Sequence, residues 1–600
     1  MNTFKSLLYL VISDALLGVY ALATRRPKKV VVVGGGWAGF SAADSLSRVK
    51  DGNSAAFEIE VLDASTRGPG GLASGWKTAK LNKPVEAGLH GFWREYSNTF
   101  ATIQRIGLDL DDVLTPFTPS ILVSRSGRVA LSPVLGEDGS MNSGNNGILF
   151  GADKETNPVS RVIQRLSELL PPPLDLALLS EFEGSNPLNT VDRLSGIGAL
   201  GIWADFDQED PKSWERYDNI SAENLFRSIA GVTPNLYKEL LSPLLHVLPM
   251  TPGYDCSAAA ALSCLHVFAL QTRGAFDVRW CRGTITEKIF NPWSLKLQER
   301  GNVSVRGGAK VTSIVEINAD HSDVATPSFR VTLNGGEDEI NADCVVFAVG
   351  GTALKTLLPA CPPLAKLPQS KNLEKFRGVT CVAVRLFFHD EPMMLKQALK
   401  DSPVAVCGAN IGNIPELSET GFCIYDLERL QDGNDIASAF EIDFFRADPL
   451  ASLTDEEVIR ITLKAISAAL EISTVDESSL ADISVVRARD AVSHFCVGST
   501  SWSLPVKLSE GLFICGDWID RVGHASWSTE KSVVTGIQAA SEIADGFGLK
   551  SKIEVIPAAP DTDQLSALRR FARAIRSALP SRVEDTIKPQ APWTLTRRFF

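Results

Sequence analysis

Three glycines and one acid near the start of the chain carry the most specific chemistry. Gly34-Gly35-Gly36-Trp37-Ala38-Gly39 holds the GxGxxG spacing, and Asp63 stands 24 residues past Gly39. Gly34 permits a tight turn, Gly36 lets the backbone approach a pyrophosphate, and Gly39 lets helix and strand lie close together. A diphosphate placed there meets unpaired amides and the positive end of a helix dipole. Asp63 lies near the offset expected for a carboxylate that binds ribose hydroxyls, and it favours a 2′-hydroxyl over a 2′-phosphate. The spacing predicts a dinucleotide site, with a packing-only glycine turn as the alternative. Elsewhere the seven His form no HxxxH or HxH pair and the ten Cys no CxxC pair, so no metal site is expected. Neither a Ser-His-Asp order nor a paired-carboxylate spacing stands out.

These residues need a scaffold, and the sequence supplies one. Lys28-Lys29 and the four valines 30–33 read as a buried parallel strand, residues 40–46 as the helix after the turn, and 57–63 as a second strand ending in the acid. Far downstream, Leu512-Phe513-Ile514-Cys515 reads as another buried strand, ending in Gly516-Asp517 and followed by a helix over 531–545. Gly36 and Gly516 lie 480 residues apart. Strand-like runs at 303–305, 311–314, 329–333 and 344–348 make a third piece. Residues 236–271 are mostly apolar and small, which predicts two buried helices around a Pro-Gly break. That stretch is either ordinary core or an apolar tunnel for a long lipid. Residues 380–388 and 438–446 alternate like strands lining one side of a substrate sheet.

Bulk composition sets the outer limits. A chain of 600 residues is too long for one core, and 44% hydrophobic with 22% charged residues excludes wholesale disorder. A formal charge of -12 argues against a general nucleic-acid binder. All ten Cys follow residue 255, several inside apolar runs, and read as buried reduced thiols. At the N-terminus, an apolar run from Leu7 to Ala23 is interrupted by Asp14 and reads as a signal, an uncleaved membrane anchor or a plain helix. Residues 564–600 hold eight Lys/Arg against two acids. Within them Leu565, Leu568, Phe571, Ala572, Ile575 and Leu579 fall on one helical face, and Arg569, Arg570, Arg573 and Arg576 on the other. Such a helix either lies on an anionic bilayer or docks on the protein's own acidic surface.

Further motifs add a family likeness. They are Gly70-Gly71-Leu72-Ala73-Ser74-Gly75-Trp76, Glu86-Ala87-Gly88-Leu89-His90, Ala525-Ser526-Trp527-Ser528-Thr529-Glu530 and the pattern Glu530-x-x-Val533-Val534-Thr535-Gly536. With the glycine turn and Gly516-Asp517 they resemble the flavin-containing oxidoreductases that include carotenoid desaturases, carotenoid isomerases and amine oxidases. Residues 281–293, and Lys531 where the family usually has Gly, tilt the likeness towards zeta-carotene and beta-carotene desaturase-like members. Leu72 stands where the family usually has a basic residue, so a cofactor contact is either missing or supplied by Arg67.

The resemblance implies an α/β fold: a Rossmann-like, discontinuous FAD-binding domain of the GR2 type with an inserted α+β substrate-binding domain. The FAD domain would comprise 28–110, 285–360 and 495–550, and the substrate domain 111–284 and 361–494. Residues 1–27 would form the signal-like or anchor segment and 551–600 the basic tail. It implies FAD held by Gly34, Gly36, Trp37, Ala38, Gly39, Asp63, Ala64, Arg67, Gly70, Gly71, Gly88, Leu89, His90, Val311, Gly516, Asp517, Trp527 and Val534. Catalytic candidates are His90, Arg282, Glu530 and His524, with no base singled out.

The implied activity is hydride transfer from a carotenoid or related polyisoprenoid to flavin, or flavin-dependent isomerisation or hydration, with quinone or oxygen as acceptor. Two other functions stay open. One is an amine-oxidase-like enzyme on a small polar substrate, which would want an aromatic cage. The other is a non-catalytic FAD-binding membrane protein. The implied setting is a membrane surface, in a plastid for a photosynthetic eukaryote and on endomembranes otherwise.

Overall fold

The computed structural model describes residues 26–132, 187–272, 274–317, 328–433, 438–520 and 523–578. The N-terminal apolar run lies outside these residues, as do Ile575 and Arg576 at the level of side chains and everything past residue 578.

The valine-rich first strand, Lys28–Val33, forms where β-branched residues are buried on both faces. It is central in a six-stranded sheet ordered Val303–Arg306, Phe57–Leu62, Lys28–Val33, Cys344–Phe347, Leu512–Ile514, Lys507–Ser509. The first five run parallel and the last antiparallel. The order reverses between Lys28–Val33 and Cys344–Phe347, which makes the carboxyl end of those two strands the place for a ligand. The glycine-turn helix Trp37–Ser47 and the late helix Ser528–Gly546 cross at contact distance: a Cβ on Gly536 would collide with the Ala38 carbonyl. Buried Asp44 ties this layer down through Arg48, Arg105 and Arg300.

A second, seven-stranded sheet runs Leu480–Ser493, Gly378–Phe388, Ala439–Phe445, Gly421–Asp426, Val404–Cys407, Ser120–Ser124, Gly127–Ser132. It is antiparallel except where Val404–Cys407 meets Ser120–Ser124. One face packs Val382, Val384, Phe440, Ile442 and Phe444 against the helix Asp455–Leu470. That helix begins in a capping box between Thr454 and Glu457. The opposite face, with Cys423, Tyr425 and Phe445, joins the core shared with the first sheet. The apolar stretch is helical on both sides of Pro252-Gly253, and Ala258–Leu265 is buried throughout. All ten cysteines are free thiols.

The tail helix Asp563–Ala578 docks on the protein, beside Thr190–Asp205. The buried face differs from the apolar face expected from sequence. Leu565, Arg569 and Ala572 are buried, while Phe571 is 62% exposed. Arg569 is drawn inward because its guanidinium pairs with Asp561 at 2.6 Å and donates to the Phe206 carbonyl, so the helix turns by about one residue from the purely apolar choice. No helix among the described residues is long and apolar enough to cross a membrane.

Candidate functional site

The glycine turn is built by close approaches that only glycine allows. Gly34 has φ 120°, its amide donates to the Leu62 carbonyl at 2.8 Å, and a Cβ there would strike the Ala348 carbonyl. A Cβ on Gly39 would strike the Gly34 carbonyl, the helix-to-strand packing that the third glycine was expected to serve. Gly36 differs. It has extended backbone, φ -93° and ψ -169°, and a Cβ would come no closer than 3.7 Å to any protein atom. Protein packing therefore does not demand glycine here, whereas a phosphate lying on the turn does. The helix amides of Trp37, Ala38 and Gly39 precede the first intrahelical bond, from Phe40 N to Gly36 O at 3.0 Å. The Trp37 ring itself turns into the core against Phe92 and Phe290, so its contribution to an anion is its amide.

Two further segments close on this turn. Gly70 donates its amide to the Gly35 carbonyl at 2.9 Å, laying Gly70-Gly71 across it. Thr286 supports that loop, accepting from Gly75 N at 2.8 Å and donating to Pro69 O at 3.1 Å. Asp63 is buried at the end of the second strand. Its Oδ1 accepts from Ser65 N at 2.9 Å, while Oδ2 has no hydrogen-bond partner within the protein, and burial raises its pKa. An orphaned buried carboxylate oxygen beside a phosphate turn is what a ribose hydroxyl satisfies. Ala309 N donates to Asp63 O at 2.8 Å, which brings the strand beginning at half-buried Val311 alongside. Ala64 and Arg67 are exposed, and the Arg67 guanidinium stacks 4.6 Å from the Trp76 ring, near the exposed Leu72.

The late element arrives at the same sheet edge. Gly516 N donates to Thr535 Oγ1 at 2.9 Å, fixing the Gly-Asp turn to the helix Ser528–Gly546, in which Val534 is buried. Asp517 is half-buried beside Tyr96. Trp527 is buried, its Nε1 donating to Ser263 Oγ at 2.9 Å and its ring meeting Phe495 edge-on at 4.6 Å.

The segment Glu86–His90 runs between the two sheets. Burial lowers the pKa of half-buried His90 to about 4, so the ring is neutral at pH 7. Glu86 Oε1 accepts from Ile285 N at 2.7 Å, and burial raises its pKa to about 8 despite Arg385. Leu89 N donates to Asp443 Oδ2 at 2.8 Å on the second sheet, where Arg385 and Glu441 form a buried ion pair. Nearby side chains are aromatic or sulfur-bearing: Trp280 meets Tyr425 at 5.0 Å, and Cys381 Sγ lies 4.0 Å from Met250 Sδ.

The remaining catalytic candidates have bonds of their own. Arg282 donates to the Asp111 and Leu114 carbonyls at 3.1 Å and pairs with Asp432 at 3.3 Å. His524 Nε2 bonds the Ile556 carbonyl at 2.9 Å. Glu530 accepts from Asn98 and Thr99. Sequence reasoning missed Arg385, Glu441 and Asp443. The one signal they left was a pair of acids two residues apart, and one arginine, inside strands otherwise without charge.

Glu86 and His90 make stability depend on pH in opposite senses. The folded pKa of Glu86 is raised from 4.5 to about 8, so its contribution to stability is complete below 4.5 and lost as pH rises towards 8. For His90 the folded value falls from 6.5 to about 4, so its contribution is present above 6.5 and lost as pH falls towards 4. Thermal melts should therefore peak on the acid side of neutrality. Glu86→Gln should flatten the fall above that peak, each tenfold difference in proton affinity that it removes being about 1.4 kcal/mol.

A parallel sheet with a glycine turn at its switch point, a buried acid with an orphaned oxygen beside it and a second strand-Gly-Asp turn at the same edge suit an FAD-dependent oxidoreductase. Residues 37–544 match the family of flavin containing amine oxidoreductases, and the chain belongs to it. It is 23% identical over 552 residues to the chloroplastic/chromoplastic zeta-carotene desaturase of Capsicum annuum, covering 88% of this chain and 84% of that one. A local match, 39% identical over 87 residues, is to the carotenoid phi-ring synthase of Chlorobaculum tepidum and takes in 14% of this chain and 12% of that protein's length. Among solved structures, cyclohexylamine oxidase from Brevibacterium oxydans superposes with a TM-score of 0.55 at 14% identity, over 87% of this chain and all of that one (100%). That likeness is one of fold. The cofactor is FAD, and the residues around the turn fit it: Gly36 open to a phosphate, Asp63 Oδ2 to a ribose.

Proposed function

We propose that the protein acts on a carotenoid or related polyisoprenoid, by desaturation or by flavin-dependent isomerisation or hydration. Its similarity to a zeta-carotene desaturase along most of its length carries this reading. The aromatic, thiol and thioether side chains near the Glu86–His90 segment support it, offering apolar surface to a long hydrocarbon chain. FAD, when bound, accepts hydride from an allylic carbon. The chain's own part is to hold cofactor and substrate in register and to keep water out. His90 is neutral at pH 7, and the burial that lowers its pKa to about 4 opposes its protonation, so it borders the site as a neutral ring. Anaerobic addition of carotenoids in detergent should bleach the flavin of a desaturase, and reoxidation by a quinone or by oxygen names the acceptor. Bleaching by amines instead favours the amine-oxidase reading, and no bleaching with unchanged pigment favours a non-catalytic FAD protein.

The substrate's solubility puts the protein at a membrane surface, in a plastid if the source is a photosynthetic eukaryote. The docked tail helix supports this by presenting Arg570, Phe571 and Arg573 outward. The pair Arg570→Ala and Phe571→Ser touches exposed positions only. It should leave the melting temperature unchanged and reduce flotation with anionic vesicles several-fold; unchanged flotation would transfer the role to another surface.

A further inference from the structure

Beneath the Glu86–His90 segment lie three carboxyl groups and one guanidinium, all nearly shielded from solvent: Glu86 at 2%, Glu441 at 0%, Asp443 at 4% and Arg385 at 2% exposure. Arg385 pairs with Glu441 and donates to the Pro84 carbonyl at 2.8 Å. Asp443 Oδ2 accepts the Leu89 amide at 2.8 Å, and a Cβ on Gly88 would sit 3.3 Å from the same oxygen. Three oxygens in this group have no hydrogen-bond donor within the protein: Glu86 Oε2, Glu441 Oε1 and Asp443 Oδ1. Three carboxylates around one guanidinium, all ionised, would leave two uncompensated charges in a dry interior, which proteins avoid by protonation. The other groups facing Asp443 are the thiols of Cys381 and Cys423 and the phenol of Tyr425, all held neutral by burial, while Glu287 adds negative charge at Glu86. Arg385 is the cation whose charge acts on both Glu86 and Asp443.

We propose that Asp443 is a positioning residue that keeps a proton, donates it in a hydrogen bond to Glu441, and so holds the Gly88–His90 backbone in place against the cofactor. This rests on the reading that Glu86–His90 borders the flavin. A proton between Asp443 and Glu441 satisfies two of the three orphaned oxygens, and one on Glu86 Oε2 removes that group's charge. Arg385 then balances the single remaining charge, on Glu441. Ionisation of Asp443 would set two like charges side by side and loosen the strand that grips Leu89. Burial and the Glu441 charge both hold Asp443 well above the usual carboxylate range, which favours its protonated form.

Asp443→Asn is the test, because an amide is the permanent isostere of the protonated acid: its oxygen accepts from Leu89 N and its nitrogen donates to Glu441. Difference infrared spectra of wild type and variant should show one protonated-carboxyl band in wild type that the variant lacks. FAD affinity, followed by flavin fluorescence against pH, should weaken about tenfold or more in wild type on the alkaline side. Read in a Glu86→Gln background, which removes the titration of Glu86 near 8, Asp443→Asn should start near the parent value and lose that transition, whereas Asp443→Leu, which keeps neither bond, should bind FAD poorly at every pH. A wild-type spectrum without the band, or a variant with the wild-type alkaline transition, overturns the proposal. If the band is present and lost in the variant while FAD affinity ignores pH in wild type, the proton stands and the placement of Glu86–His90 beside the flavin falls.

Discussion

Gly36→Asp should fold as well as wild type and purify without colour. The backbone at Gly36 is extended, a conformation open to any residue, and its Cβ would meet nothing nearer than the Gly70 carbonyl at 3.7 Å. Gly36 is also the N-cap of the helix Trp37–Ser47 and has no side chain to cap with, so an aspartate there gains about a few tenths of a kcal/mol of apo stability. The same carboxylate takes the amides of Trp37, Ala38 and Gly39 that a diphosphate would use and adds a like charge beside it. A loss of about 3 kcal/mol, or more than 100-fold in Kd, is the expected scale. Absorbance per polypeptide and melts with and without added FAD read both effects. Gly39→Ala is the contrasting control, because its Cβ would collide with the Gly34 carbonyl and should cost folding itself. A Gly36→Asp protein that stays yellow with unchanged affinity would remove the cradle from this turn.

How much of this was legible beforehand depends on how local the information is. The valine strand, the glycine turn and the acid of the second strand sit within forty residues, and propensity and spacing alone place them. Gly516-Asp517 needed the family likeness, because nothing in a window of sequence says that it returns to the edge beside Gly34. The runs 380–388 and 438–446 were readable as alternating, yet their charged residues were not readable as a group: Arg385, Glu441 and Asp443 meet only once two strands pair in one register. The tail helix shows the limit of periodicity. Spacing says which residues share a face, but the buried face was decided by Asp561 and the Phe206 carbonyl reaching Arg569, partners that a helical wheel does not contain. Glu530 was visible as a motif residue, while its partners lie more than 430 residues away in sequence.

Replacing Glu530 should cost stability before it touches chemistry. The helix Ser97–Arg105 has no side-chain cap of its own, since Tyr96 stands at its N-cap. Glu530 caps it from across the molecule. One carboxylate oxygen accepts from Asn98 N at 2.9 Å and Asn98 Nδ2 at 2.8 Å, the other from Thr99 N at 2.9 Å and Thr99 Oγ1 at 2.7 Å. Burial raises the pKa of Glu530 while these four donors pull it back, and Glu530 lies in the first turn of its own helix, where a negative charge is also favoured. Glu530→Ala strands four buried donors, with an expected loss of roughly 4 kcal/mol or more. Glu530→Gln keeps two acceptor lone pairs but points an amide at one pair of donors, for roughly half that. A catalytic base would behave otherwise: Glu530→Gln would hold its melting temperature and abolish the pH-dependent arm of flavin reduction. If Glu530 serves as a cap, the Gln and Ala variants fall in that order in stability, and whatever protein remains folded reduces its flavin with the wild-type pH profile, because no proton in the reaction passes through a carboxylate already engaged by Asn98 and Thr99.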